Sequence, residues 1–159
     1  MNVNNLAFYV GKSTNKNVVI YRLNIIDNVI DLFNPIDAYW MMREQPDNPR
    51  EELTYIEKSM AYGYDILDSD ISTDIRIKLK AIDDIVTIRK HNNSYVPFIT
   101  LQDPFSPSGH KEVILKKVFC NVSGPLGNFV ESIEITYQDI DTGKLKKFTR
   151  RENKSADIC

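Results

Sequence analysis

The chain has few of the residues from which compact catalytic and metal-binding motifs are built. Its two cysteines, Cys120 and Cys159, do not form a Cys-x-x-Cys pair, which excludes a disulfide framework and a paired-cysteine motif. Its only histidines, His91 and His110, each lie beside lysine in a polar segment. A metal site or a catalytic dyad would need partners that converge from distant segments. We therefore predict no cofactor, no metal site and no recognisable catalytic residue.

Long apolar runs and an excess of one charge are also missing. No run approaches the roughly 18 apolar residues of a membrane-spanning helix, and residues 1–5 lack the basic start and apolar core of a secretory leader. The net charge of -2 argues against a surface devoted to neutralising phosphates, although it allows a local basic patch. These absences predict a soluble, cytoplasmic or otherwise intracellular protein without a membrane span or a nucleic-acid partner.

The residues that are present favour a sheet. In residues 75–80 and 132–138 every second side chain is apolar, a period that suits strands with one buried face. About eight to ten such strands follow one another at hairpin spacing, so we predict a mainly β, single-domain antiparallel barrel or two-layer sandwich. The domain would span residues 1–159, with a flexible tail over 152–159. Cys120 lies in one of these strands and is predicted to be a small core residue.

One helix is predicted over residues 49–62, packed on the sheet. Asn48 can cap it and Pro49 suits its first turn, while Gly63 is a natural stop. Three apolar residues at helical spacing would face the sheet: Leu53, Ile56 and Met60. We expect Trp40, the only tryptophan, to pack on this face.

Several short runs, taken in order along the chain, resemble an uncharacterised family known as domain of unknown function 4833. They are Phe8-Tyr9-Val10, residues 17–24, Pro35-Ile36-Asp37-Ala38-Tyr39-Trp40, residues 52–57, Ala61-Tyr62-Gly63-Tyr64, residues 130–135 and Thr142-Gly143-Lys144. The resemblance implies one domain over nearly the whole chain. The family has no established activity, so the resemblance assigns no catalytic residue, and it implies that related domains often follow a secretory leader.

Residues Gly11-Lys12-Ser13-Thr14 match the end of a phosphate-binding P-loop. The full motif needs another glycine five positions before Gly11, where Leu6 stands, and a helix after the hydroxyl residue. A strand pattern follows instead. We therefore interpret this segment as a hairpin loop.

An aromatic group around the predicted helix is the best candidate for a ligand site. Its members are Tyr39, Trp40, Tyr55, Tyr62 and Tyr64. Such side chains at the mouth of a barrel could hold a small ligand or a peptide. Packing of the helix on the sheet also explains them, and we favour that interpretation. Arg22 alternates with apolar residues, so if its face of the strand points inward it would be a buried cation, with Glu57 or Asp65 as possible partners. The predicted ligand-binding residues are therefore Arg22, Tyr39, Trp40, Tyr62 and Tyr64.

The densest positive segment is the final strand. Its cations are Lys144, Lys146, Lys147, Arg150 and Arg151. Next to Phe148 they could bind a nucleic-acid strand or an anionic surface. Cations on a terminal strand also protect an exposed sheet edge from pairing with other chains, and we favour this interpretation.

Three classes of function are compatible with these features. We favour a non-catalytic binding or interaction domain with an unknown small ligand or protein partner, because aromatic area on a β scaffold is visible and a nucleophile with its base is not. The alternatives are a structural subunit of a larger assembly and an enzyme with a dispersed active site.

Overall fold

The computed structural model describes residues 4–45, 47, 49–69, 74–123 and 129–155. These contain thirteen strands: β1 (Leu6–Lys12), β2 (Asn15–Leu23), β3 (Ile25–Ile26), β4 (Val29–Ile30), β5 (Ile36–Met41), β6 (Arg50–Glu52), β7 (Tyr64–Ser69), β8 (Ile75–Leu79), β9 (Ile85–His91), β10 (Ser94–Gln102), β11 (His110–Ser123), β12 (Phe129–Gln138) and β13 (Leu145–Ser155). One short helical segment, α1, joins β6 to β7. Within the described ranges, no helix has the length and apolarity needed to cross a bilayer.

Eleven of the strands form one curled sheet, in the order β6-β5-β2-β1-β11-β10-β9-β8-β7, with β12 and β13 continuing from β11. All pairs are antiparallel except β1 with β11, which are parallel. About a hundred residues separate these two strands, so no tight turn imposes an antiparallel direction on them. The prediction of a mainly β domain is confirmed, with a mixed rather than purely antiparallel sheet.

The long strand β11 divides the sheet into two wings. On one edge β12 pairs with it from Ile114 to Ser123. On the other edge β10 pairs with its first residues and β1 with Lys117–Cys120. The first wing is thus β1, β2, β5 and β6, and the second is β10, β9, β8 and β7. Their inner faces share one hydrophobic core, to which Tyr21 contributes from the first wing and Ile77 from the second.

Side-chain alternation in the strands follows the predicted period of two. In β8 the isoleucines Ile75 and Ile77 are buried, and in β12 Ile133 and Ile135 are buried. Cys120 is completely buried, as predicted. It is disulfide-bonded and is therefore not a free thiol.

The helical segment is shorter than predicted and begins later. The α1 segment consists of one α-helical turn, Tyr55–Glu57, and a π-helical turn, Lys58–Tyr62. Thr54 caps it through a capping box with Glu57. The start predicted at residue 49 was wrong because Arg50–Glu52 pair with the edge of β5. The predicted cap, Asn48, lies outside the described residues.

The apolar face predicted for the helix is also only partly buried. Leu53 precedes the helical segment and is buried, whereas Ile56 and Met60 are 68% and 58% exposed. Since π-helical geometry changes the angle between successive side chains, the 3.6-residue spacing no longer places these residues on one face. Tyr62, which ends the segment, is the residue that enters the core.

The turn between β12 and β13 is built around the carboxylate of Asp139. Asp139 is almost completely buried and accepts hydrogen bonds from Lys111 and from the N–H groups of Asp141 and Thr142. The hydrogen bond from Lys111, helped by those from Thr142 and Asp141, holds the pKa of Asp139 well below its usual range, although burial acts in the opposite direction. The ionised carboxylate therefore stabilises the folded chain.

Acid should destabilise the domain through this turn. Because the folded pKa of Asp139 is depressed, its contribution is present above the ordinary carboxyl pKa of about 4 and is lost as the pH falls below that value. We expect the urea midpoint to fall between about pH 6 and pH 3, and Asp139→Asn to reduce this difference. Equal pH dependence in both proteins would show that Asp139 does not carry the effect.

Candidate functional site

The structure divides the predicted aromatic group between two faces of β5. Trp40 packs against the main core on the inner face. Tyr39 lies on the outer face, in a small cluster with Val18 and Ile20. Tyr55 is 84% exposed. Neighbouring residues of a strand point to opposite faces, so adjacent aromatic residues cannot line one pocket.

Trp40 and Tyr62 meet on the inner side, next to the helical segment. Their rings are 5.2 Å apart at an angle of 71°, a favourable edge-to-face geometry. The indole Nε1–H of Trp40 donates to Glu57 Oε2 at 2.9 Å, and the other oxygen of Glu57 accepts from the Thr54 N–H at 2.9 Å. Burial, with a smaller contribution from the Glu57 carboxylate, raises the pKa of Tyr62 to about 12. This group therefore anchors the helical segment to β5.

Tyr21 of β2 also holds the helical segment in place, through a hydrogen bond to Tyr62. Its ring stacks on Phe8, with centroids 4.6 Å apart and planes at 13°. Its hydroxyl donates to the main-chain carbonyl of Tyr62 at 2.7 Å. Burial, and to a smaller extent Tyr62, raises the pKa of Tyr21 far above its usual value, so its hydroxyl remains a donor at every physiological pH.

Tyr64 links the two ends of the curled sheet. Its hydroxyl donates to the carbonyl of Ile36 at 2.9 Å and accepts from the Ile36 N–H at 3.3 Å. Ile36 belongs to β5 in the first wing, and Tyr64 begins β7 at the far end of the second wing. Burial raises the pKa of Tyr64, and the bond to the Ile36 carbonyl offsets this only in part. The side chain of Tyr64 thus takes the place of a main-chain partner for this part of β5.

A cleft of about 290 Å³ opens beside Tyr64. Its lining consists of Asn34, Ile36, Asp37, Ala38, Leu53, Lys58, Gly63 and Tyr64. We call it the Tyr64 cleft. It combines one apolar wall with a tyrosine ring, a lysine and the edge of a strand, and this mixture is typical of small ligand sites.

Arg22 lies on the outer face of the sheet, so it is not the buried cation that an inward-pointing face would have made it. Its side chain is 33% exposed, and its guanidinium donates to Asp37 at 3.3 Å, not to Glu57 or Asp65. Arg50 donates to both oxygens of Asp37, at 2.9 and 3.1 Å, and lies 4.0 Å above the ring of Tyr39. Arg22 is therefore part of a charged cluster on the sheet surface and does not enter the Tyr64 cleft.

Asp37 is the residue that sequence reasoning missed. Burial alone would raise the pKa of Asp37, but the hydrogen bonds from Arg50 and Arg22 outweigh it and hold the pKa below its usual value. A single carboxylate between Ile36 and Ala38 in an otherwise apolar strand was the available signal, since a half-buried charge needs a partner. Arg50 was not predicted as a partner of Asp37, because the sequence placed it in the predicted helix.

A sequence family described as Domain of unknown function (DUF4833) matches residues 8–147 of the chain. The chain belongs to this family. No curated protein and no solved structure matches it.

Two of the five cations in the basic segment of this DUF4833 domain are held in ion pairs with carboxylates. Arg150 binds Asp84 through both guanidinium nitrogens, at 2.9 and 3.2 Å, and Lys147 lies 3.1 Å from Glu134. The remaining cations, Lys144, Lys146 and Arg151, are exposed. Within the described part of the chain, β13 pairs with β12 alone and is an edge strand. Protection of that edge remains our interpretation of these cations.

The two histidines do not approach a common centre. His91 packs edge-to-face against Phe98 at 5.9 Å, and Nδ1 of His110 lies 3.1 Å from the carbonyl oxygen of Ser108. Among the residues that the structure describes, no three His, Cys, Asp or Glu side chains come together as they would around a metal ion.

Proposed function

We propose that this DUF4833 domain is a non-catalytic binding domain that takes a short extended peptide into the Tyr64 cleft. The edge of β5 beside the cleft, which has no described strand as a partner beyond the end of β6, is the observation that carries the proposal. β6 pairs with Tyr39–Met41, and no described strand pairs with Ile36–Ala38 on that edge. An open strand edge next to a cavity supports recognition of a peptide by strand addition.

The direction of the main-chain groups supports this mode of binding. Met42 uses its N–H to bond Pro49 on the β6 side, and the polar groups of alternate residues face the same side of a strand. Trp40, Ala38 and Ile36 therefore face this side too. The groups of Ile36 are held by the Tyr64 hydroxyl. Ala38 is the next residue facing the same side, and it lines the cleft.

The charge and the volume of the Tyr64 cleft limit the kinds of peptide that it can bind. Lys58 is exposed at the cleft, whereas the carboxylate of Asp37 is already paired with Arg22 and Arg50. The free positive charge favours a peptide with an acidic side chain or a free carboxyl terminus. A cleft of about 290 Å³ lies at the lower end of ligand pockets, so it suits a few residues rather than a folded partner.

The protonation states around the cleft support binding rather than acid–base catalysis. The pKa values of Tyr62 and Tyr64 are raised, so both phenols remain protonated at neutral pH. Asp37 has a lowered pKa and remains an ion-paired carboxylate. A general acid or base works best with a pKa near the working pH, and none of these groups is shifted toward neutrality.

The proposal can be tested by titrating ¹⁵N-labelled protein with a library of acidic tetrapeptides that have free carboxyl termini. We expect saturable shifts at the amides of Ile36, Ala38 and Leu53. Lys58→Met should weaken binding about threefold to tenfold through loss of one charge-assisted contact. Lys144→Met, which removes an exposed lysine far along the chain, is the matched control and should bind normally. Shifts confined to other regions, or none with any peptide, would refute the proposal.

A further inference from the structure

A second concavity, of about 480 Å³, lies at the other end of β5, on the outer face of the first wing. Gly11 forms its floor. A Cβ atom at Gly11 would lie 3.3 Å from Val18 Cγ1 and 3.6 Å from Phe119 Cδ2. The missing side chain therefore creates the depression between these two residues. We call it the hairpin pocket, because it lies beside the β1–β2 hairpin.

Four cations line the hairpin pocket: Lys12, Lys16, Arg43 and Lys117. Lys16 pairs with Glu44 at 2.5 Å. For the other three, no carboxylate of the described residues lies within ion-pair distance. The pocket is thus strongly positive in a chain whose net charge is -2. Such a local excess of unpaired cations attracts an anion.

Hydrogen bonds and ring contacts hold this pocket in place. The Ser13 N–H donates to the carbonyl of Cys120, and the Ser13 hydroxyl accepts from the Val122 N–H, each at 2.9 Å. The turn is therefore fixed to β11. The ammonium group of Lys117 lies 5.6 Å from the ring centre of Tyr9 and 5.0 Å from that of Phe119. Cation–π contacts at these distances keep the Lys117 charge on the pocket face.

We propose that the hairpin pocket binds a phosphate monoester group, with the organic part of the ligand lying on Phe119. Charge-assisted hydrogen bonds from Lys12, Arg43 and Lys117 match a doubly charged tetrahedral anion. Ser13 and Thr14 of the turn line the same space. The likeness of residues 11–14 to a P-loop is not the basis of the site, because β2 follows the turn in place of a helix. The cations come from three separate segments of the chain.

Calorimetric titration with phenyl phosphate at low ionic strength tests the proposal. We expect saturable binding that weakens as salt is added. Lys117→Met should weaken it about tenfold. Lys116→Met is the matched control, since Lys116 is the adjacent, exposed residue of β11 and lies outside the pocket lining. It removes the same charge and should leave binding unchanged. Arg43→Gln provides a second pocket variant, and urea midpoints check that each variant is folded.

Two further measurements identify the source and the position of the phosphate. Vesicles of phosphatidylcholine with phosphatidic acid present the same phosphate group on a membrane. Vesicle binding that needs Lys117 would identify the ligand as a lipid headgroup. Binding of phenyl phosphate without binding of the vesicles would identify it as a soluble molecule. Gly11→Ala fills the floor and should weaken either interaction. Absence of binding to both probes, or an equal effect of Lys116→Met and Lys117→Met, would overturn the proposal.

Discussion

Gly63→Ala is expected to destabilise the domain by about 3 kcal/mol or more. A Cβ atom at Gly63 would lie 1.9 Å from the main-chain oxygen of Lys58, and the backbone of the helical turn cannot yield as a flexible side chain could. The sequence predicted Gly63 as a helix stop, and the helical segment does end at Tyr62. The backbone conformation does not require glycine at this position, because any residue can adopt its φ of -77°. The close approach of the Lys58 main chain to Gly63 explains the glycine instead.

A urea titration of Gly63→Ala beside Gly109→Ala provides the measurement and its control. Gly109 has a φ of +77° and no heavy atom within 4 Å of an added Cβ, so alanine there should cost about 1 kcal/mol from backbone strain alone. Equal losses at the two positions would contradict the packing that we describe between Gly63 and Lys58.

Trp40→Ala should cost about 2 to 4 kcal/mol, because it removes a half-buried ring and the partner of Glu57. Trp40→Phe keeps an aromatic ring against Tyr62 and should lose only the indole hydrogen bond, about 1 kcal/mol. Tyr55→Ala is the control, since Tyr55 is 84% exposed. Urea midpoints give the costs. We also expect the wild-type emission to be blue-shifted, and a red emission with a stability-neutral Trp40→Ala would mean that Trp40 is a solvent-exposed ligand platform.

The strands of the sheet could be predicted because their chemistry is local. Alternation in residues 75–80 and 132–138 gives the period of a half-buried strand whatever the neighbours are. The course of β11 between two wings could not be predicted in the same way, since β1 pairs with it across about a hundred residues. The sequence of neither strand indicates with which distant strand it pairs.

Residues 49–62 show how tertiary contacts override local preference. Pro49, Glu51 and Glu52 are all favourable at a helix start, yet Arg50–Glu52 pair with β5. Arg50 gains two hydrogen bonds to Asp37 and a contact with Tyr39 in that position. Arg50 can make these contacts only when its segment is a strand beside β5. Helix propensity therefore could not predict that the helical segment is capped at Thr54 and not at residue 48.

The candidate site was predictable in its residue types and not in its geometry. Tyr62 and Tyr64 were named from the sequence as ligand-binding residues, which stays a prediction. Tyr64 lines the cleft, and Tyr62 lies in the anchor beside it. Tyr39 was grouped with them as an aromatic residue near the predicted helix, and Arg22 as a cation that an inward-pointing strand face would bury. The pleat of β2 and β5 places both on the opposite face. The face of a strand depends on which side meets the core, and a doubly apolar strand does not reveal it.

Amide hydrogen exchange with and without an acidic tetrapeptide that binds tests the central claim most directly. If the peptide pairs with the edge of β5 beyond the end of β6, exchange at Ala38 should slow on binding, while exchange at Val118 in the middle of the sheet should not change. Unchanged exchange at Ala38 in the presence of saturating peptide would contradict the account, because the ligand would then bind away from the Tyr64 cleft.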